Sequence, residues 1–129
     1  MKKFAEVEWG RAQGALAVAE QAIQIDPDSA ASRAYYAAFH AVTALFALRG
    51  RSFKTHSAIR AAVHGDLVKS AEWPPELGQA FSSLLQLRAT GDYGGLADVS
   101  TEDAELALVK ARSILDAVGR MCPELASTH

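Results

Sequence analysis

The side chains with the strongest claim to chemistry are one arginine on an apolar stripe and two helical faces that carry histidine. Leu77, Phe81, Leu84 and Arg88 follow at steps of four, three and four, so one helix face presents three apolar groups and then a permanent cation. A guanidinium aimed along an apolar face needs acceptors. The string Arg88-Ala-Thr-Gly-Asp92-Tyr93-Gly-Gly supplies internal ones if the helix ends at Gly91 and the loop returns Asp92 and Tyr93 toward Arg88. Arg88 then caps carbonyls or pairs with Asp92, and Tyr93 closes the core. The alternative is a phosphate or RNA-backbone site built on Arg88, Asp92 and Tyr93, because a guanidinium forks onto phosphate oxygens.

Arg33, Tyr36 and His40 fall at spacings of three and four and share a face of an otherwise apolar helix. Such a face is either hydrogen-bonded inside a bundle or open to a ligand. His56, Arg60 and His64 line up at spacing four on another helix. Its two histidines stand about 12 Å apart along the axis, too far to share a metal without further ligands, so no metal site is expected. Serine-histidine-aspartate arrangements, phosphate-binding glycine loops and paired-carboxylate motifs do not stand out, and nothing calls for a cofactor.

The elements that position these groups read as helices. Trp9, Ala12, Leu16, Ala19 and Ile23 alternate at three and four, and Asp26-Pro27-Asp28 breaks that first helix. Asp28 or Ser29 is expected to cap a second helix that runs to about Arg49, with Gly50 as its stop. Tyr35, Phe39, Val42 and Phe46 form one of its stripes, and alanines cover the other directions, which places it at the centre. A third helix from about Thr55 to Lys69 puts Ile59, Val63 and Leu67 on one face, although Gly65 weakens it. Pro74 and Pro75 suit the first turn of a fourth helix, which is expected to end near Gly91. Ser100 and Asp103 resemble a capping box ahead of a fifth, marked by Ala104, Leu108, Ala111, Leu115 and Val118. Pro123 is expected to end it, leaving residues 123–129 as a frayed tail. No segment alternates as a strand does. The expected fold is all-α: an antiparallel, up-and-down bundle of four to five helices, with residues 1–122 as one domain.

Composition narrows the function classes. The chain has 129 residues, half of them apolar, and 13 basic against 15 acidic groups give a formal charge of -2. A near-neutral whole leaves any RNA contact to a local basic patch. Cys122 is the only cysteine, so there is no internal disulfide, and a reducing, cytoplasmic setting is expected. The apolar run from Ala34 to Leu48 contains His40 and is shorter than the ~20 residues a bilayer span needs, so no membrane is expected.

Three blocks in order carry a resemblance: Ser32-Arg-Ala-Tyr-Tyr-Ala-Ala-Phe-His-Ala, then Lys54-Thr-His56-Ser before an apolar helix, then Leu87-Arg88-Ala-Thr-Gly-Asp92-Tyr93. Together they resemble one branch of the HEPN (higher eukaryotes and prokaryotes nucleotide-binding) domains. The resemblance implies a bundle of four or five helices, frequent homodimers, and a small nucleotidyltransferase as frequent partner. In several branches such pairs act as toxin and antitoxin, the HEPN member being an RNase that needs no metal. The RNase motif is an arginine followed, after four to six residues, by a histidine. Arg88 matches the arginine, but Tyr93 stands where the histidine would be, and a phenol is a poor proton shuttle at neutral pH. Some toxins carry a tyrosine two positions beyond that histidine; Gly95 stands there. Arg33 and His40 match the literal spacing but lie away from the motif's expected place, whereas His56 is the reserve catalytic partner for Arg88.

The expectation is therefore a HEPN-like protein with a degenerate motif that binds nucleotide or RNA and pairs with a nucleotidyltransferase. Arg88 would meet phosphate, and Tyr93 and Tyr36 would stack on or hydrogen-bond a base. The alternatives are an active metal-independent endoribonuclease using Arg88 with His56 or His40, and a non-catalytic homodimeric assembly module.

Overall fold

Pro27 lacks an N–H and holds φ near the helical value, so it suits the first position of a helix, with a side-chain acceptor just before it. That acceptor is Asp26, whose carboxylate takes the Ser29 N–H at 3.3 Å and the Ser29 hydroxyl at 2.6 Å. These bonds hold the Asp26 carboxyl below its ordinary value. The cap expected at Asp28 or Ser29 therefore lies further upstream. Asp28 is put to another use: its Oδ1 accepts the Val99 N–H at 2.9 Å and ties the start of this helix to the residue that precedes the cap of the last long one.

The structure is a computed structural model that describes residues 1–93 and 99–126. In chain order it holds α1 (Lys2–Ala22), α2 (Pro27–Leu48), α3 (His56–Ala62) with a π-helical turn (Val63–Val68), α4 (Pro75–Tyr93), α5 (Thr101–Met121) and α6 (Pro123–Ala126). The four long helices form the bundle. Glu8 meets His40, residues equidistant from the α1–α2 turn, so these helices run antiparallel. Ser83 meets Lys110 across α4 and α5 in the same sense. The expected all-α bundle is the observed fold.

α2 lies at the centre, packed against α1, α4 and α5. Ala30, Ala31, Ala34, Ala37, Ala38, Ala41, Ala44 and Ala47 are all fully buried on it, so its neighbours approach closely from several sides. Tyr35, Val42, Leu45 and Phe46 fill the remaining directions, and Phe81, Leu84, Ile114 and Trp73 close on them from α4, α5 and the α3–α4 connection. Burying a side chain of this size contributes roughly 1.5–3 kcal/mol. Among the described residues no helix is long and apolar enough to cross a membrane.

Four local expectations differ from the structure. The third helix is not uniformly α-helical: Lys69 N–H bonds His64 O at 3.1 Å, five residues back, in a wider π turn. α4 does not stop at Gly91, since a glycine within a helix costs only ~1 kcal/mol, and the backbone stays helical through Tyr93. Asp92 and Tyr93 thus lie on α4 rather than in a returning loop, and their side chains fall outside the described residues. The tail expected from residue 123 instead opens with α6, because Pro123 is well placed to begin a helical turn and Leu125 is fully buried beneath it. Ser100 caps α5 as expected, accepting the Asp103 N–H at 3.0 Å.

Candidate functional site

Arg88 reaches α2 from one full turn beyond the buried Leu84 of α4. Its Nη2 donates to the Tyr36 hydroxyl at 3.1 Å, and its guanidinium carbon lies 5.5 Å from the Tyr36 ring centre and 6.0 Å from that of Tyr35. The side chain is partly buried, neither sealed in the core nor fully in solvent. Arg33 adds a second guanidinium, exposed, 5.1 Å from the centre of the same Tyr36 ring. A cation over a tyrosine face is attracted by the ring quadrupole, which gives each arginine a preferred pose.

His56 enters from the first position of α3, where the Thr55 hydroxyl caps the helix by accepting the Ala58 N–H at 3.0 Å. Its ring centre lies 4.8 Å from Phe39, 5.5 Å from Tyr35 and 6.1 Å from Tyr36. The Tyr35 hydroxyl is 2.6 Å from His56 Nδ1. Burial pushes the Tyr35 phenol far above its usual value, against the opposing charge of Arg88. Burial, and then Arg88, hold the His56 imidazole below its usual value. Both shifts favour neutral partners, so a phenol and a neutral imidazole share this hydrogen bond, with its direction set by the ring tautomer.

His40 completes the face one turn after Tyr36, their ring centres 6.2 Å apart. Glu8 of α1, buried at 6% exposure, places Oε2 at 2.9 Å from His40 Nδ1 and 3.4 Å from Arg11 Nη1. Burial lowers the His40 pKa, helped by the charges of Arg11 and Arg33 and opposed by Glu8.

The structure thus brings together Arg33, Tyr36, His40, His56 and Arg88, the residues that the sequence had distributed over three separate helical faces. Three contributors to the cluster were not singled out. Tyr35 and Phe39 read as plain core stripe, and nothing in their spacing distinguishes the tyrosine whose hydroxyl positions His56. Glu8 did leave a signal: Ala5, Glu8, Ala12, Ala15 and Ala19 step by three and four, which sets an acid on a buried stripe as Leu84 and Phe81 set Arg88.

Arg11, Arg33 and Arg88 bring positive charge to this region, and Glu8 is already engaged by His40 and Arg11. Chemically the cluster offers guanidinium forks for an oxyanion, an imidazole N–H donor, and aromatic rings beside which a base can lie.

Comparison with known proteins bears on the family and the fold. Residues 5–121 match the HEPN domain. A UPF0332 protein of Thermotoga maritima is 37% identical over 97 residues, 75% of this chain and 74% of that protein. A protein of Methanocaldococcus jannaschii named "Putative toxin MJ0142" is 30% identical over 89 residues, 69% of this chain and 60% of that protein. The crystal structure of TT1696 from Thermus thermophilus superposes with a TM-score of 0.78 over 93% of this chain and 98% of the other, at 23% identity, a likeness of fold. With the family match spanning nearly the whole chain and all long helices, this protein belongs to the HEPN domain family.

Proposed function

We propose that the cluster on α2, α3 and α4 binds nucleotide or RNA, and that the protein works with a small nucleotidyltransferase partner in a toxin–antitoxin-type system. The observation that carries the binding reading is the placement of Arg88 and Arg33 over Tyr36, beside His56. Arg88 meets a phosphate, Tyr36 lies against a base, His56 hydrogen-bonds through Nε2, and Asp92 and Tyr93 belong to the same site by their sequence position after Arg88. The catalytic motif is degenerate at Tyr93. Family membership and the name of the Methanocaldococcus relative support the toxin-type setting.

A second reading is favoured by one feature, the convergence of His56 with Arg88 through Tyr35. In it the protein is a metal-independent endoribonuclease, Arg88 stabilising charge on the phosphorane-like state and His56 moving the proton. One experiment separates the two. Labelled single-stranded RNA is titrated with the protein, and total RNA is incubated with protein excess in the presence of chelator. Arg88→Ala is expected to weaken binding ~10- to 100-fold, the worth of a charge-assisted hydrogen bond. Binding without cleavage supports the first reading, and cleavage lost in both Arg88→Ala and His56→Ala supports the second. No binding and no cleavage leaves a packing cluster in an assembly module.

Self-association belongs to this proposal. Phe4, Val7 and Val18 on α1 and Leu106 and Val109 on α5 are each 42–54% exposed, apolar surface of the kind a homodimer covers. Sedimentation at micromolar concentration is expected to give a dimer, and monomer alone contradicts it.

A further inference from the structure

Arg60, His64 and Ser82 meet where the α3 segment lies against α4, and the site above uses none of them. Arg60 Nε donates to Ser82 Oγ at 3.0 Å, and His64 Nε2 lies 2.7 Å from the same oxygen. Two features of the fold build this junction. The π turn carries His64. Gly78, buried on α4, leaves room for its ring: a Cβ at that position would stand 3.1 Å from both Nδ1 and Cε1 of His64 and 2.7 Å from Val68 Cγ2. The imidazole therefore packs on the α4 backbone and delivers Nε2 to Ser82.

Arg60 is exposed, and among the described residues no carboxylate is paired with it. It borders a groove of about 580 Å³ shared with Gln79, Ser82, Ser83 and Gln86, and with the apolar Leu85 and Ala89. No residue lining this groove is acidic. Ser83, on the rim away from Arg60, accepts from Lys110 Nζ at 2.8 Å, a cation that itself lines the adjoining grooves between α4 and α5. The two neighbouring grooves between α4 and α5 differ in that Glu76 lines one and Asp103 the other. One guanidinium at the rim, hydroxyls and amides along the groove, and Leu85 and Ala89 beside them suit a ligand that joins an anionic backbone to less polar sugar or base surface. Arg60 also lies one turn of α3 beyond His56, about 6 Å along the axis, so one ligand can span both places.

We infer that this groove is a second phosphodiester subsite, which takes the backbone of a single-stranded RNA whose neighbouring nucleotide lies at Arg88. The inference rests on the binding reading proposed above and adds the substrate class: a strand rather than a mononucleotide. Ser82, itself anchored by His64, holds the Arg60 guanidinium at Nε and leaves its terminal nitrogens for phosphate oxygens. Gln79 and Gln86 offer hydrogen bonds to sugar or base.

The test titrates the full chain with a labelled eight-nucleotide RNA and with a mononucleotide, at several salt concentrations, for wild type, Arg60→Gln, Ser82→Ala and Arg88→Ala. Arg60→Gln is expected to weaken the strand about tenfold, and more than it weakens the mononucleotide. It is also expected to shrink the slope of log affinity against log salt by about 0.7, one phosphate contact on a single strand. Ser82→Ala, which removes the anchor but keeps the charge, is expected to give a smaller loss. Unchanged affinity and slope in Arg60→Gln, with Arg88→Ala still weakened, overturns the groove and spares the Arg88 site. Loss in Arg60→Gln with Arg88→Ala binding as wild type does removes the Arg88 reading and, with it, the two-subsite strand. No binding by wild type overturns both. His64 ring resonances that move with inorganic phosphate but not with the RNA assign a free phosphate and overturn the strand. A melting temperature for each variant within a few degrees of wild type assigns the losses to binding.

Discussion

Tyr35→Ala is expected to cost about 3–5 kcal/mol of stability, read as a lowered denaturant midpoint with an unchanged slope. Tyr35 is fully buried at the middle of α2 and sets its ring within 6 Å of those of Tyr36, Phe39, His56 and Phe81. Truncation removes the ring that α2, α3 and α4 share, and the surrounding helices can collapse only partly into the space. Tyr35→Phe isolates the hydroxyl. It keeps the packing and costs about 1 kcal/mol, because the partly exposed His56 can exchange its lost partner for water. Its diagnostic effect is on the imidazole. Burial and Arg88, which hold the His56 pKa down, both survive the substitution, so the ring is expected to keep a pKa below the ordinary histidine value while its Nδ1 signal shifts on losing the phenol. NMR titration of the ring reads this directly. A His56 titration that rises to the ordinary histidine value in Tyr35→Phe would show that the hydroxyl, rather than burial and Arg88, holds the ring neutral.

The reach of the sequence differs between scaffold and site for a physical reason. Helix identity depends on periodicity within one segment, and Leu77, Phe81, Leu84 or Trp9, Ala12, Ala19 display it without reference to the rest of the chain. Caps depend on competition between adjacent residues. Asp26, Asp28 and Ser29 are all competent acceptors, and the choice of Asp26 followed from Pro27 taking the first helical position and from Val99 drawing Asp28 away, the latter a contact 71 residues distant. The π turn was invisible because Val63 and Leu67 stay buried whether the turn closes at four residues or five.

For the site, a cation on an apolar stripe marked Arg88, and a polar face on an apolar helix marked Arg33, Tyr36 and His40. Each is a local anomaly and therefore legible. That the faces converge is a property of how α2, α3 and α4 pack, and no single segment encodes it. Tyr35 shows the limit most clearly. A tyrosine in a core stripe looks the same whether its hydroxyl is idle or aimed at a histidine 21 residues away. The groove at Arg60 depends on the same kind of non-local fit, because Gly78 matters only once His64 is packed against it.

Folding and ligand binding are expected to respond to acid in opposite directions. Burial first, and then Arg88, depress the His56 pKa in the folded chain, and burial does the same to His40 against the pull of Glu8. A histidine held below its unfolded value near 6.5 contributes stability that is present above that pH and lost as pH falls through the folded value. Thermal stability should therefore decline from pH 7.5 toward pH 5, and His56→Gln should flatten part of the decline. A phosphodiester bound at Arg88 reverses the local field at His56: its negative charge offsets the guanidinium and raises the imidazole pKa. Between the free and bound pKa values binding takes up a proton, so affinity for RNA rises as pH falls, by at most about tenfold per pH unit for one proton. The RNA should carry no terminal phosphate, since a monoester titrates near pH 6 and would add its own proton. Calorimetry in two buffers of different ionisation heat counts the proton, and anisotropy at pH 7.5 and 5.5 reads the affinity. Tighter binding at lower pH, lost in His56→Gln, places the imidazole against the phosphate. An affinity independent of pH with no proton uptake removes His56 from the ligand and leaves it as a packing partner of Tyr35.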